Sequence, residues 1–361
     1  MNRRQFLTKT LQAGFGLPCM PLIQHVFAAD TTEEKKKKKL AKYTFVFSSP
    51  YFTNNKQATP HAHLEIKNLI EKHTQNKIFV DIHDGGVDGI GSSLSNNVKY
   101  NISQGALISV SNLAPQVPEL DVLNVPFWSS SETEYRRLFN SDVWNKYVLS
   151  KTEPFRIKVL LPYVVGARTA TTTKKYGKLI KAPEDFKGVK FRIPGSKSLQ
   201  VFYRLTQAIP QTIAWKFCAR TARAGRYDAL DPSIAGLYAG PEGLNKELGV
   251  ISEIESVHDG WLAIGNMNFI NSLDKQTQLQ FFDAFTEIQE KQVLLYRKAK
   301  AFCIKEFAKL GTKIYTPTHQ EKEALEKAFG HINPAWEPVK KRLLGDNGMK
   351  VFDELYKVAK G

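Results

Sequence analysis

Beyond residue 42 the hydrophobic pattern changes period from one segment to the next. Tyr43 to Ser48 alternates aromatic and polar positions and predicts a strand, while His61 to His73 spaces its apolar residues for a helix. Lys77 to Ile82 predicts a second strand, Leu94 to Gln104 a second helix and Ala106 to Val110 a short apolar strand. Such alternation builds a parallel α/β sheet, whose ligand sites lie beyond the carboxyl ends of the strands. The loops after Phe47, Ile82 and Val110, with Asp84, Gly86, Ser111 and Asn112 among their residues, are therefore candidate cleft walls.

Lys158 to Val165 predicts the strand that leads into a second half, where Val189 to Ile193, Thr206 to Ile213 and a helix before Tyr227 repeat the alternation. Val250 through Ile264 then crosses back. Leu279 to Leu310 holds no Gly or Pro and spaces Phe281, Phe285, Ile288, Leu295, Phe302 and Phe307 for a helix, with Asp274 as candidate cap and Gly311 as its stop. One helix of roughly 45 to 55 Å, at about 1.5 Å per residue, fits this pattern, and so do two shorter ones meeting at a kink. The single helix would be longer than either half is wide and would run along both.

At 361 residues the chain exceeds what one core usually holds, so two lobes are expected. Lobe I is placed at 42–163, with residues from about 245 to 274 returning to it. Lobe II is placed at 164–244, together with about 275–361 and the long helix. Residues 1–29 read as a signal peptide: Arg3 and Arg4 precede a mildly apolar stretch, Leu11 to Phe27, that ends in Ala28 and Ala29. Gly14, Gly16, Pro18 and Pro21 make that stretch a poor bilayer span, and twin-arginine or Sec-like cleavage is expected near Ala28. Pro18 before Cys19 occupies the place that a lipid-attachment site gives to a small residue, which argues against a lipoprotein.

The formal charge is +16 and falls by three, to +13, when Arg3, Arg4 and Lys9 leave with the signal. Five of the remaining positives are Lys35 to Lys39, a run expected within a disordered tether over residues 30–41. That run contains no aromatic residue, so it lacks the interleaving that nucleic-acid binding needs. The rest of the excess suits a carrier of organic anions, because a positive field raises their encounter rate. Cys218 and Cys303, the cysteines left after cleavage, show no metal spacing or disulfide framework and are expected as buried thiols. His61 and His63 stand too far from any third ligand to suggest a metal, and no cofactor motif is present.

The densest candidate chemistry runs from Arg168 to Pro232. Arg168 lies in Gly166-Ala167-Arg168-Thr169, and Arg192 in Lys190-Phe191-Arg192-Ile193-Pro194-Gly195, where a Pro-Gly turn stops a strand and leaves the arginine at its mouth. Trp215 and Tyr227-Asp228-Ala229-Leu230-Asp231-Pro232 follow. A strand-end arginine by itself reads as a surface ion pair, although guanidinium is also the group that holds a carboxylate through two parallel donors. The order, spacing and flanks of these residues resemble the DctP-type solute-binding proteins of tripartite ATP-independent periplasmic (TRAP) transporters. The resemblance extends through Pro118-Glu119-Leu120-Asp121 to Pro126-Phe127 and through Lys309-Leu310-Gly311 to Thr318, over nearly all of residues 42–361.

The resemblance implies an α/β, two-lobe periplasmic-binding-protein fold with a hinge and a long helix spanning both lobes. It implies a monomeric periplasmic receptor that takes a small carboxylate, without cofactor or catalysis, and passes it to the small and large TRAP membrane subunits. Arg192 would be the carboxylate clamp, Arg168 the second arginine and Trp215 the aromatic residue that closes on the ligand. Asp231 stands where the family more often has Glu-Asn, in a loop one residue shorter and with Ala229 for glycine, and would meet a ligand hydroxyl or amine. Ser109 and Asn112 align with the first-lobe wall, and read without the resemblance they are loop-capping residues. Two rivals keep the fold or the compartment: a receptor that reports to a membrane sensor, and a periplasmic enzyme acting on an organic acid. His258-Asp259 is a candidate catalytic pair, but no nucleophile elbow, phosphate loop or dinucleotide fingerprint stands in its required context. Gly85 to Gly91 is glycine-rich without the spacing of a pyrophosphate loop and reads as a flexible cleft edge.

Overall fold

The computed structural model describes residues 32–53 and 62–361. The expected signal peptide and His61 lie outside the described residues. The chain divides into two units, residues 1–39 and 40–361. Of the first, Thr32 onward is described, and the lysine run expected as a disordered tether is helical, Thr32–Leu40, with no buried residue. Glu33 and Glu34 occupy its first turn and Lys37, Lys38 and Lys39 its last, which sets each charge against the opposite partial charge of the helix ends.

The second unit holds two sheets. In the first, β1 (Tyr43–Ser48) lies between β2 (Ile78–His83) and β3 (Gly105–Ser109), and both pairings are parallel. Helices Ala62–His73 and Ser92–Lys99 make the crossovers, as parallel pairing demands. Beyond β3 the expected all-parallel order ends: β10 (Trp261–Asn266) runs antiparallel between β3 and β4 (Ile157–Tyr163). That strand enters from the second half and so arrives at the opposite end of the sheet. The second sheet has the order β11-β9-β5-β8-β6-β7, with β5 at Ala170–Thr173, β6 at Lys190–Ile193, β7 at Ile209–Thr212, β8 at Ala229–Leu230, β9 at Leu248–Ser252 and β11 at Lys313–Tyr315.

Two crossovers join the sheets, β4 to β5 and β9 to β10, and they pair with each other. Arg168 N donates to Val257 O at 2.7 Å and Asp259 N to Gly166 O at 2.8 Å. Gly166 has φ +94°, and a Cβ there would run into the Tyr296 hydroxyl, so both conformation and space demand glycine. The return to the first sheet begins after Ser252, not near residue 245, because Leu248–Ser252 pairs with β5 and β11. The C-terminal helix Gly348–Lys360, expected with the second lobe, packs instead against the first-half helix Glu132–Phe139, and Phe352 meets Trp128 at 4.9 Å between ring centroids.

A single unbroken helix, Lys275–Lys309, settles the alternative left open by its sequence. Asp274 caps it through Thr277 N, and Gly311 follows its end at φ +76°. Its 35 residues reach about 52 Å. Phe281, Phe285 and Ile288 pack with Phe45, Phe47 and Ile66 of the first half, while Cys303 and Phe307 pack with Tyr227 and Ile251 of the second. Midway, the buried Gln292 amide accepts from Val164 N (2.8 Å) and donates to Val164 O (2.7 Å). It thereby satisfies backbone groups of the first crossover, where the chain has left its strand.

Candidate ligand-binding cleft

The carboxyl ends of β1, β3 and β6 and the paired crossovers open onto one cleft of about 490 Å³, counted with its mouth. Of the expected residues, Ser109, Asn112, Arg168, Arg192 and Trp215 line it, and Asp231 does not. Ser109 is the last residue of β3, and its hydroxyl accepts from Asn112 Nδ2 at 2.8 Å across one turn of helix, so the two side chains are joined to each other as well as facing the cleft. The glycine-rich segment contributes Ile90 and Gly91 to the wall. It is tied down rather than loose: Ser48 Oγ donates to Asp88 Oδ2 at 2.5 Å and Asn97 Nδ2 to Asp88 O at 2.7 Å.

Arg168 and Arg192 are each 3% exposed, but their partners differ. Arg168 sits on the first crossover. Its Nη1 donates to Asp231 Oδ1 at 3.0 Å, its Nη2 donates to Ser111 Oγ at 3.1 Å, and the same Nη2 lies 2.8 Å from Asp259 Oδ1 in an ion pair off hydrogen-bond alignment. Burial lowers the guanidinium pKa, yet Asp231 and Asp259 outweigh it and hold it above its ordinary value. For Asp259 the balance is reversed: burial raises its pKa, and the neighbouring Arg168 offsets only part of the rise. Asp231 is wholly buried behind Arg168 and also accepts from the Tyr203 hydroxyl at 3.3 Å. Its carboxylate is occupied in holding Arg168, which leaves the expected ligand contact without access.

Arg192 ends differently. Its Nε and Nη2 both donate to Ile213 O, at 2.9 and 2.7 Å, which fixes the plane of the guanidinium. The carbonyl is in reach because β6 and β7 run parallel in register, Arg192 beside Gln211 and Ile193 beside Thr212. Trp215, half-buried on the next turn, lies over it at 5.3 Å from guanidinium carbon to ring centroid, and Cys218 adjoins it. Among the described residues no carboxylate stands within ion-pair distance of Arg192. Cys218 and Cys303 are both buried, and burial pushes the Cys303 thiol up to about 12.

The sequence reading missed Tyr51, Trp261 and the role of Asp259, all of which line the cleft. Tyr51 and Trp261 meet at 5.1 Å with their rings tilted by 41°. Asp259 was visible only as half of a candidate catalytic pair. His258 is buried with both ring nitrogens unpartnered among the described residues, stacked on Tyr135 at 4.1 Å, and pushed down to about 3, first by burial and then by Arg168. Among the described residues no group of three or more His, Cys, Asp or Glu side chains is placed to hold a metal ion.

The model of the family described as "bacterial extracellular solute-binding protein, family 7", DctP, matches residues 47–338. The chain belongs to this family. The fold has the same company. A TRAP periplasmic solute-binding protein from Sulfurospirillum deleyianum, with bound succinate, superposes with a TM-score of 0.76 at 19% identity, over 89% of this chain and 99% of that one. A second, from Haemophilus influenzae with bound L-gulonate, gives 0.77 at 18% identity, over 88% and 99%. A third, from Desulfovibrio salexigens with bound orotic acid, gives 0.78 at 15%, over 88% and 99%. No curated protein matches the chain. This DctP-family protein therefore has the two-lobe fold of the TRAP solute-binding proteins and is an extracytoplasmic solute-binding protein. Among its described residues no helix is long and apolar enough to cross a membrane.

Proposed function

We propose that this DctP-family protein captures a small organic acid in the cleft, holding its carboxylate at Arg192, and delivers it to the small and large TRAP membrane subunits for uptake driven by an ion gradient. The observation that carries this reading is a buried guanidinium whose Nε and Nη2 meet a backbone carbonyl and which has no carboxylate partner among the described residues. A buried charge is costly unless paired, and a ligand carboxylate supplies the missing charge with the matching two-pronged geometry. Trp215 covers the ligand from the second half, and Ser109 and Asn112 meet it from the first. Arg168, held by two carboxylates, positions the cleft wall at the crossovers. The protein acts as a monomer in the periplasm after cleavage near Ala28 and returns its ligand chemically unchanged. His258 supports the absence of catalysis, since a histidine held neutral in the core behind Arg168 serves as neither exposed base nor acid.

The test is a thermal-shift screen of the mature protein against organic acids, with mass spectrometry of any co-purified ligand. Stabilisation by a carboxylate that disappears in Arg192→Ala, with the variant still folded, is expected. An Arg192→Ala variant that binds the same acid with unchanged affinity overturns the assignment.

A further inference from the structure

The cleft carries two arginines but only one unspent positive charge. Arg168 lies within ion-pair distance of both Asp231 (3.0 Å) and Asp259 (2.8 Å), so its end of the cleft has two carboxylates for one guanidinium. Asp259 itself lines the cleft, and a second ligand carboxylate placed there meets an anion before it meets a free cation. Lys216 borders an adjoining groove beyond Arg192 and Trp215, where it is exposed to solvent and screened. The remaining wall is predominantly apolar: Tyr51 against Trp261 at 5.1 Å, with Leu107, Ile108 and Ile90 beside them. Ser109 and Asn112 are already hydrogen-bonded to each other, which leaves few groups to replace the water around a polyhydroxylated chain.

We infer that the ligand is a monocarboxylate with an apolar or aromatic body, its carboxylate at Arg192 and its body between Trp215 and the Tyr51–Trp261 pair. This rests on the carboxylate-receptor reading above and narrows it. Dicarboxylates and sugar acids are discriminated against, the first by Asp259 and the second by the apolar wall.

Isothermal titration of the full mature protein with matched acids tests the inference: benzoate and cyclohexanecarboxylate against their 1,4-dicarboxylates, with gluconate as the polyhydroxylated arm. Each monoacid is expected to bind at least tenfold more tightly than its diacid and than gluconate. A diacid or gluconate that binds as tightly as the monoacids, or more tightly, overturns the inference and leaves the carboxylate-receptor reading standing. Binding of none of these acids overturns the inference and returns the carboxylate-receptor reading to the thermal-shift screen above. In Asp259→Asn one of the two counter-charges of Arg168 is gone, and the monoacid-to-diacid preference is expected to fall at least tenfold; an unchanged preference in the folded variant removes Asp259 as its cause and overturns the charge argument. Should that variant fail to fold, the series on the unaltered protein decides alone.

Discussion

Arg168 and Arg192 look alike in sequence and differ in kind in the structure. Both are 3% exposed and both line the same cleft, Arg168 from the crossover after β4 and Arg192 from within β6. One is enclosed by two carboxylates and a serine; the other leans on a backbone carbonyl under a tryptophan. A buried ion pair that loses one member leaves the other charge stranded, whereas a buried charge that awaits its partner from solution is a binding site. On the reading proposed above, the difference separates a residue that maintains the crossovers from one that recognises the ligand.

The sharpest way to break this comparison is to remove each arginine in turn. Arg168→Ala should cost about 3 to 5 kcal/mol of folding stability, because Asp231 and Asp259 stay buried without their cation. Arg192→Ala should weaken ligand binding by about 3 to 5 kcal/mol while its urea unfolding midpoint stays near that of the unaltered protein, and Arg192→Lys should recover only part of the affinity. Urea titration and calorimetry on the same variants read both effects. The reverse assignment, with Arg192→Ala unfolding and Arg168→Ala merely weakening the ligand, would remove the distinction.

Acid should also act on the Arg168 side. His258 binds no proton in the folded protein until about pH 3 but does so near its ordinary value when unfolded. Stability is therefore lost as pH falls from about 6.5 towards 3, at roughly 1.4 kcal/mol per pH unit for this group. His331, pushed down to about 4 chiefly by burial, acts in the same sense, and Asp259, with a raised pKa, in the opposite one. His258→Phe, which keeps a ring against Tyr135, should flatten the slope of unfolding free energy against pH over that window. An unchanged slope would mean that His258 titrates normally in the folded protein.

A smaller effect is expected at Trp215. Its cation–π contact with Arg192 is worth on the order of 0.5 to 2 kcal/mol, so Trp215→Ala should reduce affinity by about that much and Trp215→Phe by less. Saturating ligand should also change the tryptophan emission of the unaltered protein, and Trp215→Phe should lose most of that change. The smallest effect belongs to Ser109→Ala and Asn112→Ala, at about 1 kcal/mol or less each, since the hydrogen bond between them is neutral and local.

Local regularity was legible. Helical spacing from Leu279 to Leu310 and the absence of Gly and Pro marked the segment as helical, with one helix or two left open, and its cap, Asp274, was visible as a short acidic side chain before the run. Five of six expected site residues line the cleft: strand ends and the Pro194-Gly195 turn pointed to Asn112 and Arg192, and the family resemblance pointed to Ser109, Arg168 and Trp215. Asp231 was misplaced because its local loop says nothing of Arg168, 63 positions earlier. Asp259 was missed for the same reason: the pairing of the two crossovers brings it to Arg168 from 91 positions away. The expected tether is instead a helix, with its glutamates and lysines at opposite ends of one segment.

The sequence by itself determined the α/β alternation, the helical spacing from Leu279 to Leu310, the family and the presence of a strand-end arginine at the mouth of β6, because each depends on residues that are neighbours along the chain. Only the tertiary structure decided which arginine keeps an unspent charge. That depends on Asp231, Asp259 and the carbonyl of Ile213, groups brought together by sheet register and crossover pairing across long separations, and electrostatic energy follows distance in space rather than distance in sequence.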